Sequence, residues 1–117
     1  MSMREFDSGA TRNDDSQELD YHGFLSPLSR KRFAQYMHEH RFQADGTLRA
    51  SDNWQKGLPV KTYCSSLVRH TMDAELHEDG FPEEAREDLE TALCAIIFNA
   101  QGWLFEVLLE NRGQRSE

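Results

Sequence analysis

The chain has 117 residues, with 13 Lys and Arg against 21 Asp and Glu, for a formal net charge of -8. Hydrophobic residues make up 38% and the mean hydropathy is -0.77, which fits one small domain with a modest core. The acidic balance excludes the basic face that DNA or RNA phosphates require, and no uninterrupted apolar run approaches the ~18 residues of a membrane span. No direct nucleic-acid partner and no membrane are therefore expected. The start, Met1-Ser2-Met3-Arg4-Glu5, lacks the apolar segment of an export signal. Cys64 and Cys94 form no C-x-x-C pair and read as reduced, buried small hydrophobes, in keeping with a cytoplasmic location.

Residues 1–20 are polar and acidic, with Gly9, Asn13 and the pair Asp14-Asp15, and read as a partly flexible arm. Within it, Ser8-Gly9-Ala10-Thr11-Arg12 is a small-residue turn ending in a cation, so Arg12 is a candidate for lying against a phosphate. A single helical domain is expected over 21–111, followed by a frayed tail at 112–117.

Tyr21–Leu25 is a short apolar hinge. Ser26-Pro27 reads as an N-cap followed by proline at the first helical position, which predicts a helix over 27–40 with Phe33, Tyr36, Met37 and His40 as its buried stripe. His38-Glu39-His40-Arg41 looks ligand-like, but adjacent side chains on a helix diverge. Residues 41–58 form a long loop broken at Asp45-Gly46 and Lys56-Gly57, and long ordered loops tend to be functional. Trp54, in this loop, reads either as a lid on the core or as a face for a base to stack on.

Pro59 starts a second helix, 59–78, ended by Gly80. Val60, Tyr63, Cys64, Leu67, Thr71 and Ala74 form its inward side, with His70 on the same stripe and Asp73 three residues further on. Pro82 opens the longest helix, 82–111, whose acidic first turns suit the positive end of the helix dipole. Leu89, Ala92, Leu93, Ile96, Ile97, Ala100, Trp103, Leu104, Val107 and Leu108 make an apolar face too wide for one partner helix, which suggests a bundle or a homodimer. Asn99 lies among these residues, and a buried amide needs partners. The fold class is all-α: a small bundle of three main helices with an extended N-terminal arm.

The short connection at 79–81 makes the last two helices antiparallel neighbours. Asp73 and Glu78 then face Glu84, Glu87 and Asp88, with His70 nearby. Carboxylates from facing helices are how bundles hold divalent ions, and an oxygen-rich set favours Mg2+ or Mn2+. Asp73, Glu78 and Asp88 are the candidate metal ligands, and Lys56 and Arg69 the candidate phosphate partners.

The run Asp52-Asn53-Trp54-Gln55-Lys56-Gly57-Leu58-Pro59, then Tyr63, Ser66, Arg69-His70 and Asp73, resembles the phage-associated dATP/dGTP diphosphohydrolase N-terminal domain family. Gly9-Ala10-Thr11-Arg12 and Asp20-Tyr21 resemble that family's glycine-rich N-terminal segment. The similarity spans about residues 5–108. It implies an all-α fold related to MazG-type nucleotide pyrophosphohydrolases, which cleave the α–β phosphoanhydride of a nucleoside triphosphate with magnesium. Asn53, Trp54, Lys56, Arg69 and His70 match the family's motif residues. His70-x-x-Asp73 stands where MazG-type enzymes carry Glu-x-x-Glu, the family's Gly-Glu-Asp turn appears as His77-Glu78-Asp79, and Asp88 stands in place of a histidine.

The expected function is a phage or prophage, metal-dependent nucleoside triphosphate pyrophosphohydrolase acting on a purine (deoxy)nucleotide in the host cytoplasm. Arg12, Asn53, Trp54, Lys56, Arg69 and Asn99 are the candidate substrate contacts. His70 and Asp73 are the candidate catalytic residues. The competing expectation is a non-catalytic acidic accessory protein that binds a nucleotide or a host defence protein. Convergence of Asp73 and Asp88 would favour the enzyme, and if they point apart the binding reading is favoured.

Overall fold

The computed structural model describes residues 3–5, 7–13 and 17–115. The Asp14-Asp15 pair and residues 116–117 lie outside them, as does the Arg12 side chain. The chain divides into two compact units, Met1–Arg30 and Lys31–Glu117.

In the first unit, β1 (Met3–Glu5) and β2 (Thr11–Asn13) pair antiparallel, with Arg4 opposite Arg12. Within the segment expected to be a partly flexible arm, residues 3–5 and 11–13 form this hairpin, with Gly9 between them at φ 86°, a conformation that glycine adopts without Cβ strain. A one-turn helix α1 (Tyr21–Phe24) follows, with Asp20 Oδ1 accepting from the Gly23 N–H at 2.9 Å. Ser26 then caps α2 (Pro27–Glu39), its hydroxyl accepting from the Ser29 N–H at 3.3 Å.

In the second unit, α3 (Val60–Glu78) and α4 (Leu89–Asn111) pack against each other. α3 ends in a Schellman motif: the Phe81 N–H donates to Leu76 O at 2.8 Å and the Gly80 N–H to His77 O at 3.2 Å, with Gly80 at φ 90°. The longest helix does not begin at Pro82. Pro82–Glu84 is a separate 3-10 turn, and α4 starts only where Asp88 Oδ1 accepts from the Thr91 N–H at 2.7 Å. A genuine side-chain cap at Asp88 replaces the acidic first turn read at Glu83-Glu84.

The buried stripe of α4 is Ala92, Ala95, Asn99, Gly102 and Glu106, a spacing of three and four that turns one narrow seam toward α3. Its small residues let the helices approach closely. At Gly102 a Cβ would meet the Tyr63 ring, with Cζ at 2.6 Å. On α3 the buried side runs through Tyr63 and Asp73, with His70, Ala74 and His77 half-buried beside them. Thr71, expected on this side, is exposed. Most of the large apolar residues expected in the α4 core lie outside it: Leu93 is 47% exposed, Ile97 44%, Leu104 58% and Val107 37%.

Tyr36 of α2 joins Cys94 and Ala95 in the core, with Phe33, Met37 and Phe98 packed around them. His40, expected on this stripe, is exposed but stacks on Tyr36 with ring centroids 4.1 Å apart. Both cysteines are free thiols, and burial pushes that of Cys94 upward. α4 is long and apolar enough to cross a membrane by length and composition, with a mean hydropathy of 1.7 over its best window. Asn99, Gln101 and Gly102 interrupt its apolar run without adding charge, so no uninterrupted run of that length is present.

Candidate functional site

Two groups of polar residues stand out in the second unit. The first is where α3 meets the start of α4. His70, Asp73 and Glu87 each offer a ligand atom within 4.8 Å of the others. The i, i+3 spacing on α3 sets His70 and Asp73 on one face, and the irregular segment before α4 carries Glu87 across to them. His70 Nδ1 bonds Glu87 Oε1, while His77 Nε2 donates to the Glu87 backbone carbonyl at 2.7 Å and fixes that segment against α3. A carboxylate on Nδ1 leaves His70 Nε2 as the nitrogen with a lone pair, the arrangement by which carboxylates orient histidine ligands and bases.

Asp73 is 1% exposed and accepts every bond from one residue. Arg86 donates its backbone N–H to Oδ1 at 3.2 Å, and its Nε and terminal nitrogen to Oδ2 at 2.9 and 2.6 Å. The Arg86 guanidinium holds the Asp73 carboxyl below its usual range despite the opposing effect of burial. A divalent ion at this group would find a histidine, Glu87 and a carboxylate already neutralised. The donor types fit Mg2+ or Mn2+, with one uncompensated negative charge.

The candidate metal ligands Glu78 and Asp88 are outside this group. Glu78 is exposed in the last turn of α3. Asp88 is exposed and caps α4, with Arg32 and His77 nearby and its carboxyl held low chiefly by the Thr91 backbone N–H. Asp73 and Asp88 therefore do not converge as a ligand pair. Glu87 supplies the third ligand atom. The sequence placed it opposite Asp73, but its spacing resembles that of its acidic neighbours.

The second group is a cavity of about 480 Å³ under the loop after α2. That loop closes through a bridge between Phe42 and Leu48, with Asp45 Oδ1 accepting from the Thr47 N–H at 3.0 Å and hydroxyl at 2.6 Å. It then forms a 3-10 turn, Asn53–Lys56, that carries Trp54 onto α4. Trp54 packs edge-on against Phe105 at 5.2 Å and Phe98 at 6.5 Å. It is a lid on the core and a wall of the cavity at once. Asn53, Trp54 and Lys56 line this space as a set, together with Tyr63, Phe98, His40, Arg41 and Arg49.

Arg69 is exposed on α3 and lines neither of the two cavities that Lys56 lines. Asn99 is buried in the α3–α4 seam, where Nδ2 donates to Ala95 O at 2.8 Å within its own helix. It lines neither the cavity nor the His70 group. Arg41 and Arg49 were not singled out in the sequence, because an arginine in a loop has no period to mark it.

Arg115 Nε donates to the buried Glu106 Oε2 at 2.7 Å and its terminal nitrogen to Gln55 O at 2.6 Å, tying the end of the described chain to the turn that holds Trp54.

No protein-family model, curated protein or solved structure matches this chain.

Proposed function

We propose that this protein is a phage or prophage nucleoside triphosphate pyrophosphohydrolase that binds a purine (deoxy)nucleotide and, with Mg2+ or Mn2+, cleaves it to monophosphate and pyrophosphate. The observation that carries this reading is the approach of His70, Asp73 and Glu87 to within 4.8 Å, at a junction of two antiparallel helices. The motif resemblance at Asn53-Trp54-Gln55-Lys56-Gly57 supports the nucleotide, since four of those residues, all but Gln55, line one cavity. Asp73 and Glu87 would hold the metal, which when bound would polarise phosphoryl oxygens toward attack. Glu87 orients the His70 imidazole, leaving Nε2 to accept a proton from an attacking water.

One observation favours a second reading, a non-catalytic accessory protein that binds a nucleotide or a host protein. Arg86 already neutralises Asp73, and Glu78 and Asp88 contribute nothing to the group. Incubation of dATP and dGTP with and without Mg2+ or Mn2+, followed by chromatography of the products, separates the two. Metal-dependent monophosphate and pyrophosphate that disappear in His70→Ala and Asp73→Ala establish the enzyme. Unchanged rates in both variants, or no turnover with any metal, overturn it.

We also propose a homodimer. Leu93, Ile97, Ala100, Leu104 and Val107 recur at alternating spacings of four and three on α4 and are all exposed. At ~100° per residue this seam lies roughly opposite the one buried against α3. No charged residue interrupts α4 between Glu90 and Glu106. A second copy of the chain would bury this face as one helix seam on another.

A further inference from the structure

We propose that Arg41 and Arg49, together with Lys56, form the phosphate-holding end of the Trp54 cavity, and that this cavity binds a nucleoside triphosphate without any metal. The inference deepens the nucleotide reading above and rests on it, but it needs neither hydrolysis nor the His70 group.

The chain carries a charge of -8, yet no Asp or Glu lines this cavity, while Arg41, Arg49 and Lys56 do. That separation of charge runs against composition. The neighbouring cavity, which shares Lys56, is lined by Glu106 and Glu110 as well as cations. Three other arginines in this unit are matched, Arg32 with Glu90, Arg86 with Asp73 and Arg115 with Glu106, while the exposed Arg69 and Arg112 line no part of this cavity. Arg41 and Arg49 have no carboxylate partner among the described residues.

Both are nevertheless held in place. Arg41 Nε donates to the Arg49 carbonyl at 2.7 Å and its NH1 lies 3.4 Å from His38 Nδ1. Arg49 NH1 donates to the His40 carbonyl at 3.2 Å. These bonds orient the guanidinium groups and cancel little of their charge. Each arginine has five N–H donors, so most remain for a ligand. Oriented, uncompensated guanidinium groups suit the tetrahedral oxygens of phosphate.

The rest of the cavity sets the class of ligand. Trp54, Tyr63, Phe98 and Met37 give it apolar and aromatic walls, and Asn53 adds an amide able to donate and accept. About 480 Å³ is within the usual range for small-molecule sites. A planar ring with a polyanionic tail matches both ends, whereas inorganic phosphate alone would use only the cations.

The test is isothermal titration calorimetry of the whole chain with dATP, dGTP and inorganic pyrophosphate, in EDTA and at two salt concentrations. Arg41→Gln, Arg49→Gln, Lys56→Gln and the control Lys31→Gln are compared, with circular dichroism to confirm folding. Lys56 is exposed and makes no hydrogen bond among the described residues, so Lys56→Gln keeps the test open if an arginine variant fails to fold. The expected result is nucleotide binding that weakens with salt and that pyrophosphate displaces. Each cavity variant should lose about tenfold or more, corresponding to one charge-assisted contact. Lys31→Gln should bind as wild type. Absence of binding in EDTA, or wild-type affinity in folded cavity variants, overturns the proposal. Retained binding without metal-dependent turnover would sink the hydrolase reading and support this one. Turnover with unchanged affinity in the cavity variants would do the reverse.

Discussion

Arg86 meets Asp73 through both its backbone and its side chain, so among the described residues one partner supplies every hydrogen bond to a carboxylate that is 1% exposed. The two ends of this pair differ in environment, since the Arg86 side chain is 52% exposed.

That difference makes the pair asymmetric to mutation. Arg86→Gln strands a buried charge, whereas Asp73→Asn leaves a guanidinium that turns into water. Calorimetric melting should show Arg86→Gln as the more damaging change, with Asp73→Asn costing about 1 kcal/mol. The double variant should recover part of the Arg86→Gln loss. If Asp73→Asn lowers Tm more than Arg86→Gln does, the pair is not held as described. Arg86→Gln should also tighten Mn2+ binding if the His70 group is a metal site, because the competing cation is gone.

The same pair sets an acid limit. The folded-state pKa of Asp73 is lowered by Arg86, so its contribution to stability is fully present above the unfolded value of about 3.9 and is lost as pH falls through the folded value. Asp45 and Asp88 are lowered too, so wild type should lose stability in the same acid window for three reasons. Urea midpoints between about pH 6 and pH 2.5 should fall less steeply in Arg86→Gln than in wild type. Parallel curves would remove Asp73 from the account.

Gly102→Ala places a methyl against the Tyr63 ring. Helix propensity would gain up to about 1 kcal/mol from the change, and overpacking costs about 1–3 kcal/mol. Tyr63 is 1% exposed and its ring atoms would lie under 3 Å from the new methyl, so the ring must shift and the loss should win. Urea unfolding is the measurement, and a stabilised variant would show that the seam can open.

Much of the fold was legible because its signals are local. Ser26-Pro27 and Pro59 mark helix starts, and Gly80 marks a stop through its φ of 90°. The start of α4 was misread because Pro82-Glu83-Glu84 has the composition of a first turn, while the true cap depends on one Asp88–Thr91 bond. The buried face of α4 was hidden for a different reason. Nearly every side of that helix is apolar, so periodicity could not show that Ala92, Ala95 and Gly102 face α3 while Leu93 and Leu104 do not. At the sites, Asn53, Trp54 and Lys56 were readable as a contiguous motif. Arg41, Arg49 and the Arg86–Asp73 pair arise from loop geometry that no spacing encodes.

Size-exclusion chromatography with light scattering should give twice the 13.6 kDa chain mass at micromolar concentration. Ile97→Glu and Leu104→Glu put charges on the exposed seam and should yield helical monomers. A wild-type monomer at that concentration would count against the dimer.

The bond from Arg115 to Gln55 O, backed by the salt bridge to Glu106, gives the last described residue a role in the cavity's architecture. Proteolytic trimming just beyond Arg112 would leave every helix intact and its far-ultraviolet spectrum native, yet release the turn on which Trp54 sits. Sample integrity is therefore better judged by intact mass than by helicity.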